Sequence, residues 1–154
     1  MQKLLLAVSA LVALGASAHA GPSPFGASFD GWKFNHEPYS GATICRAIYS
    51  NIELARHTSG RATLAIITTD VPKGKLPDST LIVGNGPAQL VQAESRGDLI
   101  RFEVDDYTLK QVAGARGFSW RVGSGGRMTG TASYNGSGME AYKRMMSCVA
   151  AKKR

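Results

Sequence analysis

The sequence predicts an α+β fold: a mainly antiparallel β-sheet or sandwich, a short helix near 106–114, and a C-terminal helix tied by a disulfide to an early strand. Three observations predict it. Segments with apolar residues at every second position recur along the chain. Short connections rich in Gly, Asn and Ser separate them, which favours antiparallel neighbours. Two later segments change to helical spacing behind residues suited to a cap.

Taken in order, Met1 to Ala20 reads as a secretory signal peptide. Lys3 supplies the positive start, Leu4 to Leu14 is a short apolar run, and Ala18-His19-Ala20 is a small-x-small cleavage site. The expected mature protein is a single domain over 21–154, with 21–31 as an extended lead-in rich in Gly, Pro and Ser. Trp32 and Phe34 then alternate around Lys33. Thr43 to Tyr49 is β-branched and aromatic. Period two puts Cys45, Ala47 and Tyr49 on one face, the better core candidate, and Arg46 on the other between Ile44 and Ile48. Ile52 to Arg56 and Arg61 to Thr68 read as a hairpin around Thr58-Ser59-Gly60, in competition with a two-turn helix capped at Ser50.

Pro72, Gly74 and Pro77 predict a loop, followed by a short strand over Leu81 to Val83. Ala88 to Ala93 and Leu99 to Val104 are two further strands, with Gly84-Asn85-Gly86-Pro87 and Arg96-Gly97-Asp98 as turns. Asp105-Asp106 offer an N-cap to a short helix over Tyr107 to Ala113, stopped by Gly114 or Gly117. Phe118 to Val122 and Met128 to Tyr134 are strands around Ser124-Gly125-Gly126. Ser137 and Glu140 form a capping box on the last helix, where Ala141, Met145, Cys148 and Val149 share a face.

The formal charge is +7, which falls by one with Lys3. Only Lys152-Lys153-Arg154 form a basic run, so most of the excess is scattered over solvated surface. In an exported protein such a surface attracts an envelope protein, an acidic glycan or an anionic lipid surface rather than nucleic acid. No transmembrane segment is expected in the mature chain. Cys45 and Cys148 are the only cysteines, and in an oxidising compartment they are expected to pair. Neither stands in a Cys-x-x-Cys motif, and no His stands at ligand spacing beside either.

Motifs for catalysis are sparse. His36 and His57 lack a His-x-x-x-His or Cys/His cluster, no Ser stands in a nucleophile elbow, and both read as exposed or capping residues. Gly84-Asn85-Gly86 and Gly123-Ser124-Gly125-Gly126 read as hairpin turns rather than phosphate loops. Asp105 and Asp106 are adjacent, while Glu94, Asp98 and Glu103 lie near turns or on exposed strand positions, so caps and solvated faces account for them. Asn135-Gly136-Ser137 matches a glycosylation sequon and reads as a turn. No catalytic, cofactor or metal residue is assigned. Arg116, Phe118, Trp120 and Arg121 are the candidate partner contact, since an Arg-flanked aromatic pair suits a carbohydrate or protein surface if it is exposed.

Trp32, Cys45, Gly136-Ser137-Gly138-Met139-Glu140-Ala141 and Cys148 together resemble the invasion-associated locus B-like periplasmic proteins. The resemblance implies a non-enzymatic protein of the bacterial envelope. Thr129-Gly130-Thr131-Ala132-Ser133-Tyr134 is similar to the Ser-Gly-x-x-Tyr element of periplasmic lysozyme inhibitors, with the Tyr one residue later. The expectation is therefore a periplasmic or secreted, non-catalytic protein that binds through a basic surface. The alternatives are a lysozyme inhibitor and a small hydrolase of envelope polymers.

Overall fold

A computed structural model describes residues 21–69, 71–123 and 128–153; the signal-peptide reading and the Ser124-Gly125-Gly126 turn lie outside them. One antiparallel sheet of ten strands is packed by two helices. In chain order the elements are β1 (Ser23–Pro24), β2 (Trp32–Tyr39), β3 (Ala42–Tyr49), β4 (Ile52–His57), β5 (Ala62–Ile67), β6 (Gly74–Val83), β7 (Gln89–Ser95), β8 (Leu99–Val104), α1 (Asp106–Gly114), β9 (Gly117–Val122), β10 (Met128–Ser133) and α2 (Gly138–Lys152). The strands lie in the order β1-β2-β3-β4-β5-β8-β7-β6-β9-β10, and every pair is antiparallel.

The period-two reading of β3 holds. Cys45 and Ala47 are fully buried, and Arg46 stands on the opposite face. Trp32, Leu54, Leu64, Ile100 and Phe102 extend that apolar face across β2, β4, β5 and β8. α2 covers its β2–β4 part with Ala141, Met145, Cys148 and Val149, all buried, and α1 packs on β5 and against α2. Burying a side chain the size of Met145 or Val149 stabilises by about 1.5–3 kcal/mol. Cys45 and Cys148 are disulfide-bonded, their Cα atoms 6.0 Å apart, so β3 and α2 are covalently joined across the core.

The two helices start differently. Asp105 caps α1, its carboxylate accepting the Thr108 N–H at 2.7 Å, and that bond holds its pKa below the usual aspartate value. The capping box expected at α2 does not form. The Ser137 hydroxyl instead accepts the Trp32 indole N–H at 2.9 Å and bonds Asn135 Oδ1. The buried indole nitrogen needs a partner, and Ser137 is the residue that meets it. Tyr134 stands against Trp32 with ring centroids 5.7 Å apart, and its hydroxyl donates to the Val112 carbonyl at the end of α1. The chain leaving β10 thus meets the chain entering β2. Gly138 opens α2 at the same place, where a Cβ would stand 2.6 Å from the Ala113 carbonyl oxygen. No side chain fits that crossing.

The expected loop over 72–80 is largely strand. β6 begins at Gly74 and pairs with β7 on both sides of an irregularity between Leu76 and Ser79. Pro77 and Asp78 occupy the interruption, Asp78 with φ +55°. A bulge lets a strand carry a proline without losing a ladder bond, which is why the composition suggested a loop.

Candidate functional site

The helix-free face of the sheet carries the densest polar chemistry among the described residues. Register builds it. Asn35, Arg46, Ala55, Thr63, Glu103 and Gln92 stand opposite one another across β2, β3, β4, β5, β8 and β7. The next row is Lys33, Ile48, Glu53, Ala65, Arg101 and Glu94. β4 and β5 contribute the small residues Ala55, Thr63 and Ala65 to these rows, and Arg46, Glu53 and Arg101 stand around them. Ala55 and Thr63 therefore line a depression of about 40 Å³ together with Arg46, Glu53, Arg96 and Arg101. His57, Tyr39, Glu37 and Arg61 complete its border.

Arg46 is the hub. Its guanidinium bonds the Glu37 carboxylate and lies 3.3 Å from Glu53 Oε1, with all three side chains mostly buried. Burial pushes the Glu53 carboxyl above its usual range, and Arg46 and Arg101 oppose that rise. Arg61 pairs with Glu103 at the exposed rim, where such a pair contributes little. Arg96 and Arg101 make no ion pair among the described residues. Arg46 Nη1 and Arg101 Nε are buried without a hydrogen-bond partner among them. Burial, then the positive charge of Arg96, lowers the pKa of Arg101. His57 is 8% exposed, which corrects the expectation of an exposed or capping histidine. Burial, and then Arg61, Arg101, Arg46 and Arg56, depress its pKa, so its neutral form is favoured.

Arg101 also borders a second, larger depression of about 400 Å³ beside the β6 bulge. Lys75, Leu76, Asp78, Val91 and Glu94 contribute to it.

The structure divides the contact expected from Arg116, Phe118, Trp120 and Arg121. Phe118 is 4% exposed and belongs to the core, packed on the same side of the sheet as its β6 partner Val83, so it offers no contact surface. Arg116 is exposed ahead of β9. Trp120 packs partly against the core and, with Arg121, Thr80, Ser119, Thr129 and Thr131, lines a cavity of about 450 Å³. Its indole lies across Gly130, where a Cβ would come within 2.5 Å of the ring. Thr129 to Ser133 lie in β10, and Tyr134 is buried rather than presented on a loop.

Three other groups have structural partners. Arg56 reaches Asp106 Oδ2 at 2.6 Å and ties β4 to the start of α1. Asn135 bonds Asp30, and Arg144 lies 4.3 Å over the Phe29 ring. No group of three or more His, Cys, Asp or Glu forms a metal-binding cluster among the described residues.

The arginine depression was missed because its members are distant in sequence and become neighbours only through strand register. One signal was present: Arg46 interrupts the apolar residues Ile44 and Ile48 on the face opposite Cys45. An arginine at the centre of such a strand needs buried partners on neighbouring strands. The chain matches no family model, no curated protein and no solved structure.

Proposed function

We propose that this is a non-catalytic protein of the bacterial envelope or exterior that binds an anionic partner through the helix-free face of its sheet. The observation that carries this reading is the gathering of Arg46, Arg61, Arg96 and Arg101 around one depression, with Arg96 and Arg101 free of ion pairs among the described residues. Unneutralised arginines on a half-buried face favour an incoming anion more strongly than solvated lysines do. The carboxylates Glu37 and Glu53 are both held by Arg46, which suits a positioning role better than acid–base work on a bound polymer. An exported location accords with the disulfide. No helix among the described residues is long and apolar enough to cross a membrane. The likeness to the invasion-associated locus B-like proteins points the same way.

Retention on an immobilised acidic glycan tests the proposal. The charge reversals Arg96→Glu and Arg101→Glu together should lower the eluting salt concentration well below that of wild type. Lys143→Glu with Lys152→Glu, on exposed positions of α2, should lower it less. Equal losses from the two pairs, or none from either, would discard the helix-free face as the binding surface.

A further inference from the structure

We infer that the depression between Arg46 and Arg101 is a site for the phosphoryl group of a small organic phosphate, whose organic part lies in the adjoining hollow beside the β6 bulge. The inference rests on the binding face proposed above and narrows its ligand to one chemical class.

The first support is unmet hydrogen-bonding capacity. Arg46 Nη1 and Arg101 Nε are buried N–H donors with no acceptor among the described residues, and they border the same depression from β3 and β8. A buried donor left unpaired keeps the full cost of its lost hydration, and that cost is larger for a charged group. A bound oxyanion would remove that cost at two places at once. The second support is charge. Arg96 stands on the β7–β8 turn beside Arg101; neither forms an ion pair among the described residues, and the Glu53 carboxylate acts on Arg101 only from a distance. A doubly charged anion would offset their mutual repulsion.

The third support is shape. The small depression, about 40 Å³, has room for one compact group and not for a ring system. Its arginines come from β3 (Arg46), the β4–β5 turn (Arg61), the β7–β8 turn (Arg96) and β8 (Arg101). Donors from separate strands and turns suit a group with several acceptor oxygens better than a carboxylate with two. Arg101 also borders the hollow of about 400 Å³, within the size range of small-molecule sites. Leu76 and Val91 give that hollow apolar surface, and Lys75, Asp78 and Glu94 give it polar groups. A ligand whose phosphoryl group reaches Arg101 would place its remaining atoms there.

Calorimetric titration of the folded, oxidised protein with inorganic phosphate, glucose 6-phosphate and acetate tests the inference. Saturable binding of both phosphates is expected, with glucose 6-phosphate tighter than inorganic phosphate and acetate weakest. Arg101→Gln should weaken both phosphates by about tenfold or more, and Arg121→Gln should leave them unchanged. A second measurement keeps the test decisive if Arg101→Gln does not fold: NMR titration of His57 in the wild-type protein. Arg46, Arg56, Arg61 and Arg101 surround that ring and depress its pKa, while Glu37 and Glu53 border the same depression. Saturating phosphate should move the His57 pKa upward. No saturable binding, or a His57 pKa indifferent to phosphate, overturns the inference. Equal affinity for the two phosphates overturns the assignment of the hollow to the organic part. If phosphates fail while glycan retention still depends on Arg96 and Arg101, this inference falls and the broader binding proposal stands.

Discussion

The two faces of the sheet are built from the same strands and solve opposite problems. Beneath α1 and α2, Trp32, Leu54, Leu64 and Phe102 are wholly buried, and the face is apolar apart from groups such as Arg56 that have specific partners. On the other side, Arg46, Glu53, His57 and Arg101 stand on the same strands and are also largely covered, with no helix above them. Burial on the first face yields stability directly. Burial on the second costs desolvation, which the Glu37–Arg46–Glu53 bonds offset only while all three members remain. One face therefore holds the fold, and the other holds charge in place.

The largest difference between the two faces lies in the disulfide beneath α2. Cys148→Ser should destabilise by up to about 4–5 kcal/mol on the chain-entropy argument for a closure of this length, read from the shift in denaturant midpoint against wild type. A loss below about 1 kcal/mol would mean that the apolar face holds α2 without the covalent tie. The polar face should respond to how many members are changed. Arg46→Met alone strands two carboxylates and should cost about 1–3 kcal/mol. The triple change Glu37→Leu, Arg46→Met and Glu53→Leu should recover most of that stability in the same urea titration, because no charge is left without its partner. If the triple variant is less stable than the single one, these three residues carry structural weight beyond their mutual bonds.

The smallest effect is that of pH. The pKa of His57 is lower in the folded protein than its ordinary 6.5, so the unfolded chain takes up a proton that the native state resists. Stability should fall as pH drops below 6.5 toward the depressed value, at no more than about 1.4 kcal/mol per pH unit. Glu53 acts in the opposite sense. Its folded pKa is raised above 4.5, so the native state takes its proton first, and stability rises as pH falls through that raised value. His57→Gln should flatten the slope below pH 6.5 and leave the Glu53 contribution. An unchanged slope would show that His57 binds its proton equally in the native and unfolded states.

Local pattern carried much of the fold to the page, and register carried the rest. The β3 face, the hairpin between β4 and β5, the β8 alternation, the Asp105 cap and the apolar stripe of α2 were legible because each depends on residues within one turn or one strand. The cysteine pairing was legible by counting. β6 was read short because Pro77 and Gly74 have loop composition, and only pairing with β7 shows the bulge that accommodates Pro77. Local sequence assigns the Ser137 hydroxyl to a helix cap because its competitor, the Trp32 indole, is 105 residues away. His57 and the arginine depression were out of reach for the same reason. Nothing near Arg46 in sequence says that Arg101 will stand two strands beyond Glu53. Of the expected contact, Trp120 and Arg121 share a cavity, while the burial of Phe118 follows from the alternation that also predicted the strand.

The covalent tie also sets an order of events. Cys45 is made early, and the sulfur it needs arrives 103 residues later, on the last helix. Meanwhile β2, β3, β4 and β5 can zip as successive hairpins, since each pairs with its neighbour in sequence. β8 must skip past β6 and β7 to reach β5, while α2 docks on β2, β3 and β4 and against α1. A reduced chain emerging into an oxidising compartment would thus carry a solitary thiol through most of its assembly, exposed to capture by any other thiol it meets. The final helix acts as the latch that ends this vulnerable interval.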